Sequence, residues 1–296
     1  MPGCNKPIEV NGRYFSCGQC MACRISRSRE WSTRLIFELT SWNYDACFIT
    51  LTYDDEHLPE DYGLHKDELQ KFFKRLRKDL SFENRKIKYF ACGEYGDEYG
   101  RPHYHAIVFG LRFGEHDRQL VKDNWTLCFP ERFDGNEHGF QMVHSNNICY
   151  VTGYIRKKLN GQRAIDEYGS RQAPFQLVSH GLGLEMAYEL KDRMSKTGYI
   201  TRNGVKMSIP RYFLKKLELD TRNTERRSEL TFKRLAKIQE VEPDFTYEVA
   251  CACAHGNELP SDLVDREYFK LKRKNLLQNE KNMQRKLELS RSKNKL

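Results

Sequence analysis

Tyr150 and Tyr154 stand four residues apart in Tyr150-Val-Thr-Gly-Tyr154-Ile-Arg-Lys157, and His103 and His105 stand two apart in His103-Tyr104-His105. On a helix, residues four apart project from one face, so the two phenols would lie side by side with Lys157 one turn further along. On a strand, residues two apart share a face, so the two imidazoles could grip one cation. A phenol with a pKa of about 10 is a poor nucleophile at neutral pH. A cation beside it eases proton loss and polarises a phosphoryl oxygen under attack. Together the two spacings point to tyrosine attack on a phosphodiester, with a second tyrosine available for a second attack. Lys157 would steady the phenolate or hold the scissile phosphate as a point charge. Each motif also has a plainer reading on its own: half-buried packing tyrosines with wet hydroxyls, and histidines in cross-strand contact on a sheet surface.

Two imidazoles leave coordination positions open. Glu94, ending the preceding strand candidate just before a glycine-rich connection, is well placed as a third ligand. A His₂Glu set with open sites accepts Mg²⁺ or Mn²⁺ and also takes Zn²⁺. A second group of metal-loving side chains lies at the start: Cys4, then Cys17-Gly-Gln-Cys20-Met-Ala-Cys23. Four thiolates suit one structural Zn²⁺; an iron–sulfur cluster and plain reduced thiols are the alternatives. Cys47, Cys92 and Cys149 fall within core elements and read as packing residues. Arg24, Arg27, Arg29, the basic residues of 71–78, and Arg156 and Lys158 beside the tyrosines are candidate phosphate contacts. Tyr95, Tyr99 and Trp125 could stack on unpaired bases.

These side chains need elements to hold them. Cys47–Tyr53 is a β-branched and aromatic run that predicts a buried strand, and 87–94 and 103–109 predict two more, joined as an antiparallel hairpin through Gly96–Pro102. Phe140–Val143 predicts a shorter strand. The clearest amphipathic helix covers 66–80, with Leu69, Phe72, Phe73, Leu76 and Leu80 as its apolar stripe and acids in its first turn. The tyrosines fall on a helix from about Asn146 to Leu159. This order predicts an α+β fold, a central antiparallel sheet flanked by helices. The expected organisation is a Cys-rich segment with a basic helix (1–40), the sheet domain (41–190), an accessory region (191–254) and a basic helical tail (255–296). The stretch 265–296 carries 11 Lys and Arg against 4 Asp and Glu.

The whole chain has 296 residues, 50 Lys and Arg against 41 Asp and Glu, and a net charge of +9. With a mean hydropathy of -0.77 and a pI near 9.0, the balance suits a polyanionic partner. No apolar run approaches the ~18–20 residues of a membrane span and no signal peptide is evident, so the expected setting is the cytosol, with no membrane partner.

With these residues in hand, the chain resembles the replication initiators of the HUH endonuclease superfamily, and more narrowly those of microviruses of the gokushovirus branch. Phe48-Ile-Thr-Leu-Thr-Tyr53, Gly100-Arg-Pro-His103-Tyr104-His105-Ala-Ile-Val-Phe109 and Tyr150-x3-Tyr154-x2-Lys157 carry the likeness, in the family's order. The cysteine-rich start and Ser179-His-Gly-Leu-Gly183 add to it. Tyr104 departs at the U position, where a purely hydrophobic residue is usual. The resemblance implies rolling-circle initiation on single-stranded and origin DNA, through a 5′-phosphotyrosine, in the cytoplasm of a bacterial host. A host polymerase would extend the free 3′-OH. Since the sequence has no Walker A pattern, a host helicase would open the duplex.

Overall fold

The computed structural model describes residues 4–10, 13–97, 99–134, 139–157, 162–202, 204–220, 224–255 and 258–293. In chain order its elements are β1 (Ile8–Val10), β2 (Arg13–Phe15), α1 (Met21–Ser41), β3 (Ala46–Leu51), α2 (Lys66–Phe82), β4 (Lys88–Tyr95), β5 (Pro102–Phe109), α3 (Glu115–Asn124), a 3-10 turn (Pro130–Phe133), β6 (Phe140–Met142), α4 (Ser145–Lys157), α5 (Gln162–Tyr168) and β7 (Phe175–Val178). There follow α6 (Leu184–Glu189), α7 (Lys191–Thr197), β8 (Tyr199–Arg202), β9 (Val205–Ser208), α8 (Arg211–Lys216), α9 (Glu225–Gln239), α10 (Tyr247–Cys253) and α11 (Pro260–Lys293). The chain divides into two compact units: residues 31–188, and residues 1–30 together with 189–296. The sequence reading places the corresponding edges of the sheet domain at 41 and 190.

The unit 31–188 is an α+β layer structure, as the sequence predicts. Its sheet has the order β6-β3-β5-β4-β7, and every neighbouring pair is antiparallel. Strand alternation sorts the side chains onto two faces. Cys47, Ile49 and Leu51 of β3 and Tyr104, Ala106 and Val108 of β5 pack with Leu69, Phe72, Phe73, Leu76 and Leu80 of α2. Phe48 of β3, Phe90 and Cys92 of β4, and Ile107 and Phe109 of β5 pack with Leu35 and Leu39 of α1 and Ile148, Val151 and Ile155 of α4. Both faces are therefore closed by helices, and β5 lies in the middle of the sheet.

Ser179-His-Gly-Leu-Gly183 ties this layer together. Ser179 pairs with β4, its amide donating to the Tyr89 carbonyl at 2.8 Å and its hydroxyl accepting from the Tyr89 amide at 2.9 Å. Gly183 has φ +74°, and a Cβ there would sit 2.4 Å from the Arg34 carbonyl oxygen. Its amide donates to the buried Glu38 carboxylate at 2.6 Å. Only glycine allows both the left-handed turn and this approach to the backbone of α1.

The other unit is built from small pieces: the hairpins β1-β2 and β8-β9, and a helical core. Leu235 and Ile238 of α9, Ala250 of α10, and Leu263 and Val264 of α11 form that core. The Arg227 guanidinium links α9 to α11 through Asp262 and Asp265, at 2.6 Å each. Among the described residues no helix is long and apolar enough to cross a membrane.

Candidate active site

The register of the central hairpin brings three predicted side chains together. Glu94 on β4 lies directly opposite His103 on β5, and His105, two residues on, lies between Cys92 of β4 and Thr50 of β3. All three therefore belong to the face covered by α1 and α4. Glu94 Oε1 is 2.9 Å from His103 Nε2 and 3.2 Å from His105 Nε2. Burial works against a charge on Glu94, yet the hydrogen bonds from His103 and His105 prevail and bring its pKa down to about 2.

The outer nitrogens of both rings are also engaged. His103 Nδ1 lies 3.2 Å from the Arg101 carbonyl oxygen, which can only accept, so Nδ1 carries the proton. His105 Nδ1 is 3.0 Å from the Thr50 hydroxyl. A ring held at Nδ1 in this way is oriented with Nε2 toward the Glu94 carboxylate, where a shared cation could sit between them. One ligand atom from each of Glu94, His103 and His105 lies within 4.8 Å of the other two. The donor set, two imidazoles and a carboxylate with orienting partners behind them, fits a divalent cation.

Helix α4 carries both tyrosines over this triad. Ile148, Val151 and Ile155 are buried against the sheet. Thr152 shares a 2.7 Å hydrogen bond with Ser32 of α1, which fixes how the helix is rotated. The Tyr154 ring stacks on His105 at 5.3 Å between centroids, and Tyr150 meets the same imidazole edge-on at 5.4 Å. The two phenol rings are 4.9 Å apart. Tyr150 is 52% exposed, while Tyr154 is half-buried. Burial raises both phenol pKa values, and the Glu94 charge pushes Tyr154 far up. Both phenols thus keep their protons at neutral pH until a cation offsets that charge.

Thr50 is the site residue that sequence reading missed. Its signal was its parity in the strand: Phe48 and Thr50 alternate onto the histidine face, and Phe48 stacks on His105 at 5.5 Å. Tyr104 is fully buried on the opposite face. Its hydroxyl accepts from the His65 amide at 2.8 Å and lies 2.7 Å from the Tyr53 hydroxyl, so its polar tip is satisfied in the core. Two sequence expectations are corrected. Trp125 cannot stack on a base: it is 1% exposed and donates its indole N–H to the Thr52 carbonyl. Cys149 is exposed rather than packed in the core. Of the basic candidates in α2, Arg75 donates to the Asn124 carbonyl and Arg77 to Ser179. Arg24 donates to the Gln19 carbonyl, and Arg27 is exposed; both belong to the other unit. The side chains of Arg156 and Lys157, and the whole of Lys158, lie outside the described residues.

The family described as replication-associated protein ORF2/G2P matches residues 46–159. That stretch runs from β3 through α4 and contains Glu94, His103, His105, Tyr150 and Tyr154. Replication-associated protein VP4 of Bdellovibrio phage phiMH2K is 33% identical over 219 residues, covering 69% of this chain and 68% of the relative. Replication-associated protein ORF2 of Spiroplasma virus 4 is 35% identical over 232 residues, covering 72% and 70%. The chain belongs to the phage replication-associated proteins. A third member, replication-associated protein ORF4 of Chlamydia phage 1, is 30% identical over 217 residues, covering 67% of this chain and 52% of its own length. Among solved structures, the N-terminal nuclease domain of Minute virus of mice non-structural protein-1 aligns with a TM-score of 0.17 and 14% identity, over 69% of this chain and 80% of that domain. A likeness that low carries no argument about this replication-associated protein.

Proposed function

We propose that this replication-associated protein initiates rolling-circle replication as a metal-dependent tyrosine nickase and strand transferase. The phenol oxygen of one tyrosine attacks the phosphorus of an origin phosphodiester in single-stranded DNA. The bond to the 3′ oxygen breaks, the phenol proton passes to solvent, and the leaving oxygen is reprotonated as a free 3′-OH. The 5′ end stays esterified to the tyrosine. A host polymerase extends the 3′-OH while a host helicase opens the duplex, in the cytoplasm of the infected cell. When the origin is copied, the second tyrosine cuts it, and the new 3′-OH attacks the first phosphotyrosine to close a circle.

Glu94, His103 and His105 hold the cation; Mg²⁺ or Mn²⁺ there supplies Lewis acidity at the phosphoryl oxygen. Lys157, the last described residue of α4, holds the scissile phosphate. Arg156, Lys158, Arg24 and Arg27 contact the strand backbone. The observation that supports this reading is the packing of both phenols on His105, Tyr154 stacked and Tyr150 edge-on, beside a triad whose donor atoms converge.

The test is covalent capture. A labelled single-stranded origin oligonucleotide incubated with the protein and Mn²⁺ or Mg²⁺ is expected to give an SDS-resistant adduct. The adduct should disappear in Tyr150→Phe/Tyr154→Phe and in His103→Ala/His105→Ala, while oligonucleotide binding persists in both. Tight binding by the parent protein with no adduct in either metal would leave a non-catalytic DNA-binding protein instead.

A further inference from the structure

The unit formed by residues 1–30 and 189–296 contains a second convergence of ligand atoms, unrelated to the tyrosine chemistry. The sulfurs of Cys4, Cys17, Cys20 and Cys23 all lie within 4.8 Å of one another. Cys4 Sγ is 3.7 Å from Cys17 Sγ and 3.9 Å from Cys20 Sγ. A tetrahedron with Zn–S bonds of ~2.3 Å has edges of ~3.8 Å between its sulfurs. Disulfides do not account for the cluster, since an S–S bond measures ~2.05 Å and all four cysteines are free. A cubane iron–sulfur cluster does not fit either, because its iron and sulfide core holds the four thiolates further apart than one ion does.

The backbone around the sulfurs is arranged for negative charge. The Asn5 amide donates to Cys20 Sγ at 3.4 Å, the Cys17 amide to Cys4 Sγ at 3.3 Å, and the Cys20 amide to Cys17 Sγ at 3.3 Å. A neutral thiol is a weak acceptor, whereas a metal-bound thiolate gains from each such bond. The cluster also reaches the far end of the chain. Asn5, whose backbone serves Cys20, donates its side-chain Nδ2 to Glu280 Oε2 of α11 at 2.9 Å. The Met21 amide, between Cys20 and Cys23, donates to Glu280 Oε1 at 3.0 Å. Glu280 is buried, and Met283 packs on the cysteines.

We propose that Cys4, Cys17, Cys20 and Cys23 bind one zinc ion as a tetrathiolate, and that this ion holds the N-terminal segment against α11 through Asn5, Met21 and Glu280. Binding converts four thiols to thiolates, and their four protons leave to solvent. Without the ion, the four sulfurs return to neutral thiols with no bonds to a shared centre, so the loop carrying Asn5 and Met21 loses the geometry that seats Glu280. Glu280 is thus a positioning residue, coupled to the metal across 275 residues of sequence.

The experiment uses the full chain carrying His103→Ala/His105→Ala, so that the other candidate metal site does not contribute. Elemental analysis of undenatured protein is expected to give one zinc per chain. Exchange of that zinc for Co²⁺ should produce thiolate-to-cobalt charge-transfer absorption, lost in a further Cys17→Ser/Cys20→Ser variant. Stripping the metal should raise amide hydrogen exchange in residues 4–23 and 276–286 together. Glu280→Ala should raise exchange in 276–286 while the zinc stays bound. Protein that contains no zinc and gives no charge-transfer band with Co²⁺ overturns the site, and an iron spectrum overturns its identity as zinc. Unchanged exchange in 276–286 after stripping overturns the coupling to α11. The cobalt spectrum and the stripping measurement need no cysteine variant to fold.

Discussion

Around His105, residue-level geometry separates two tyrosines that the sequence presents as equivalent. Their spacing predicts two phenols on one helical face, and both rings do meet the same imidazole. They differ in access: Tyr150 is 52% exposed, while Tyr154 is stacked flat on His105 and half-buried, with burial first and the Glu94 charge second pushing its pKa far up. We therefore expect Tyr150 to make the first attack and Tyr154 the second. In single-turnover adduct formation on an origin oligonucleotide, Tyr150→Phe should slow capture by at least about tenfold, roughly 1.4 kcal/mol of barrier. Tyr154→Phe should leave the first adduct near parental rate but release no closed circles. Equal first-turnover rates in the two variants would remove the assigned order. Thr50 yields a second prediction at this scale. It orients the His105 ring from behind, and loss of such a partner typically weakens metal binding by about 10- to 100-fold. Thr50→Val should raise the Mn²⁺ concentration needed for half-maximal adduct by about that factor. An unchanged Mn²⁺ requirement would show that the hydroxyl does not orient the ligand.

Elements differ in how plainly the sequence announces them, and the difference is physical. In α2 the helical period alone picks out Leu69, Phe72, Phe73, Leu76 and Leu80, and these are its buried residues. The strands β3, β4 and β5 and their hairpin are equally legible, because alternation and turn glycines are local signals. Whether Glu94 faces His103 is not local, since it depends on the register across the hairpin. The burial of Trp125 and the exposure of Cys149 escape local signals for the same reason: burial is decided by what packs from elsewhere in the chain. Beyond residue 190 the partners of an element are distant in sequence, as Arg227 with Asp262 and Asp265 illustrates. One such non-local contact supports a prediction about α3. Its buried Asp117 accepts from the Arg85 guanidinium at 2.8 and 2.5 Å and from the Arg112 amide at 2.6 Å. Burial opposes the charge, but these hydrogen bonds win and hold the carboxyl below the usual range. A depressed folded-state pKa contributes stability that is present above the unfolded value, about 3.9, and is lost as pH falls through the folded value. Urea midpoints of the parent should therefore drop as pH is lowered below about 4. Asp117→Asn should lose about 1–3 kcal/mol at pH 7, leaving the half-buried Arg85 with only Glu83 and the Gly110 carbonyl, and should have a shallower acid limb. A variant with the parental midpoint at pH 7 would show that the pair contributes nothing net.

At the scale of the whole molecule, charge is the property that ties the chain to its proposed partner. A net charge of +9 on 296 residues is a modest excess, so its placement matters more than its size. Residues 265–296 hold 11 of the 50 Lys and Arg but only 4 of the 41 Asp and Glu. Although the sequence reads 255–296 as a tail, α11 places Leu263 and Val264 in a core and buries Glu280. Deleting it would therefore confound loss of charge with loss of packing. Lys281, Arg285 and Lys286 on the same helix are exposed, so their charges can be removed without opening that core. A lysine or arginine that neutralises a phosphate releases a counterion, and on single strands each such contact steepens the log–log dependence of affinity on salt by about 0.7. Lys281→Gln/Arg285→Gln/Lys286→Gln should therefore bind an oligonucleotide of unrelated sequence more weakly at low salt. Its salt slope should be shallower by up to about 2. Adduct formation on a saturating origin oligonucleotide should keep its parental rate, because the phenols and the metal triad lie in the other unit. The two readouts separate the outcomes. A parental slope would mean that this face of α11 does not touch DNA, and the excess charge there would be a solvated surface. A parental slope with a slower adduct would instead mean that α11 acts on the chemistry, and that the two units do not work independently.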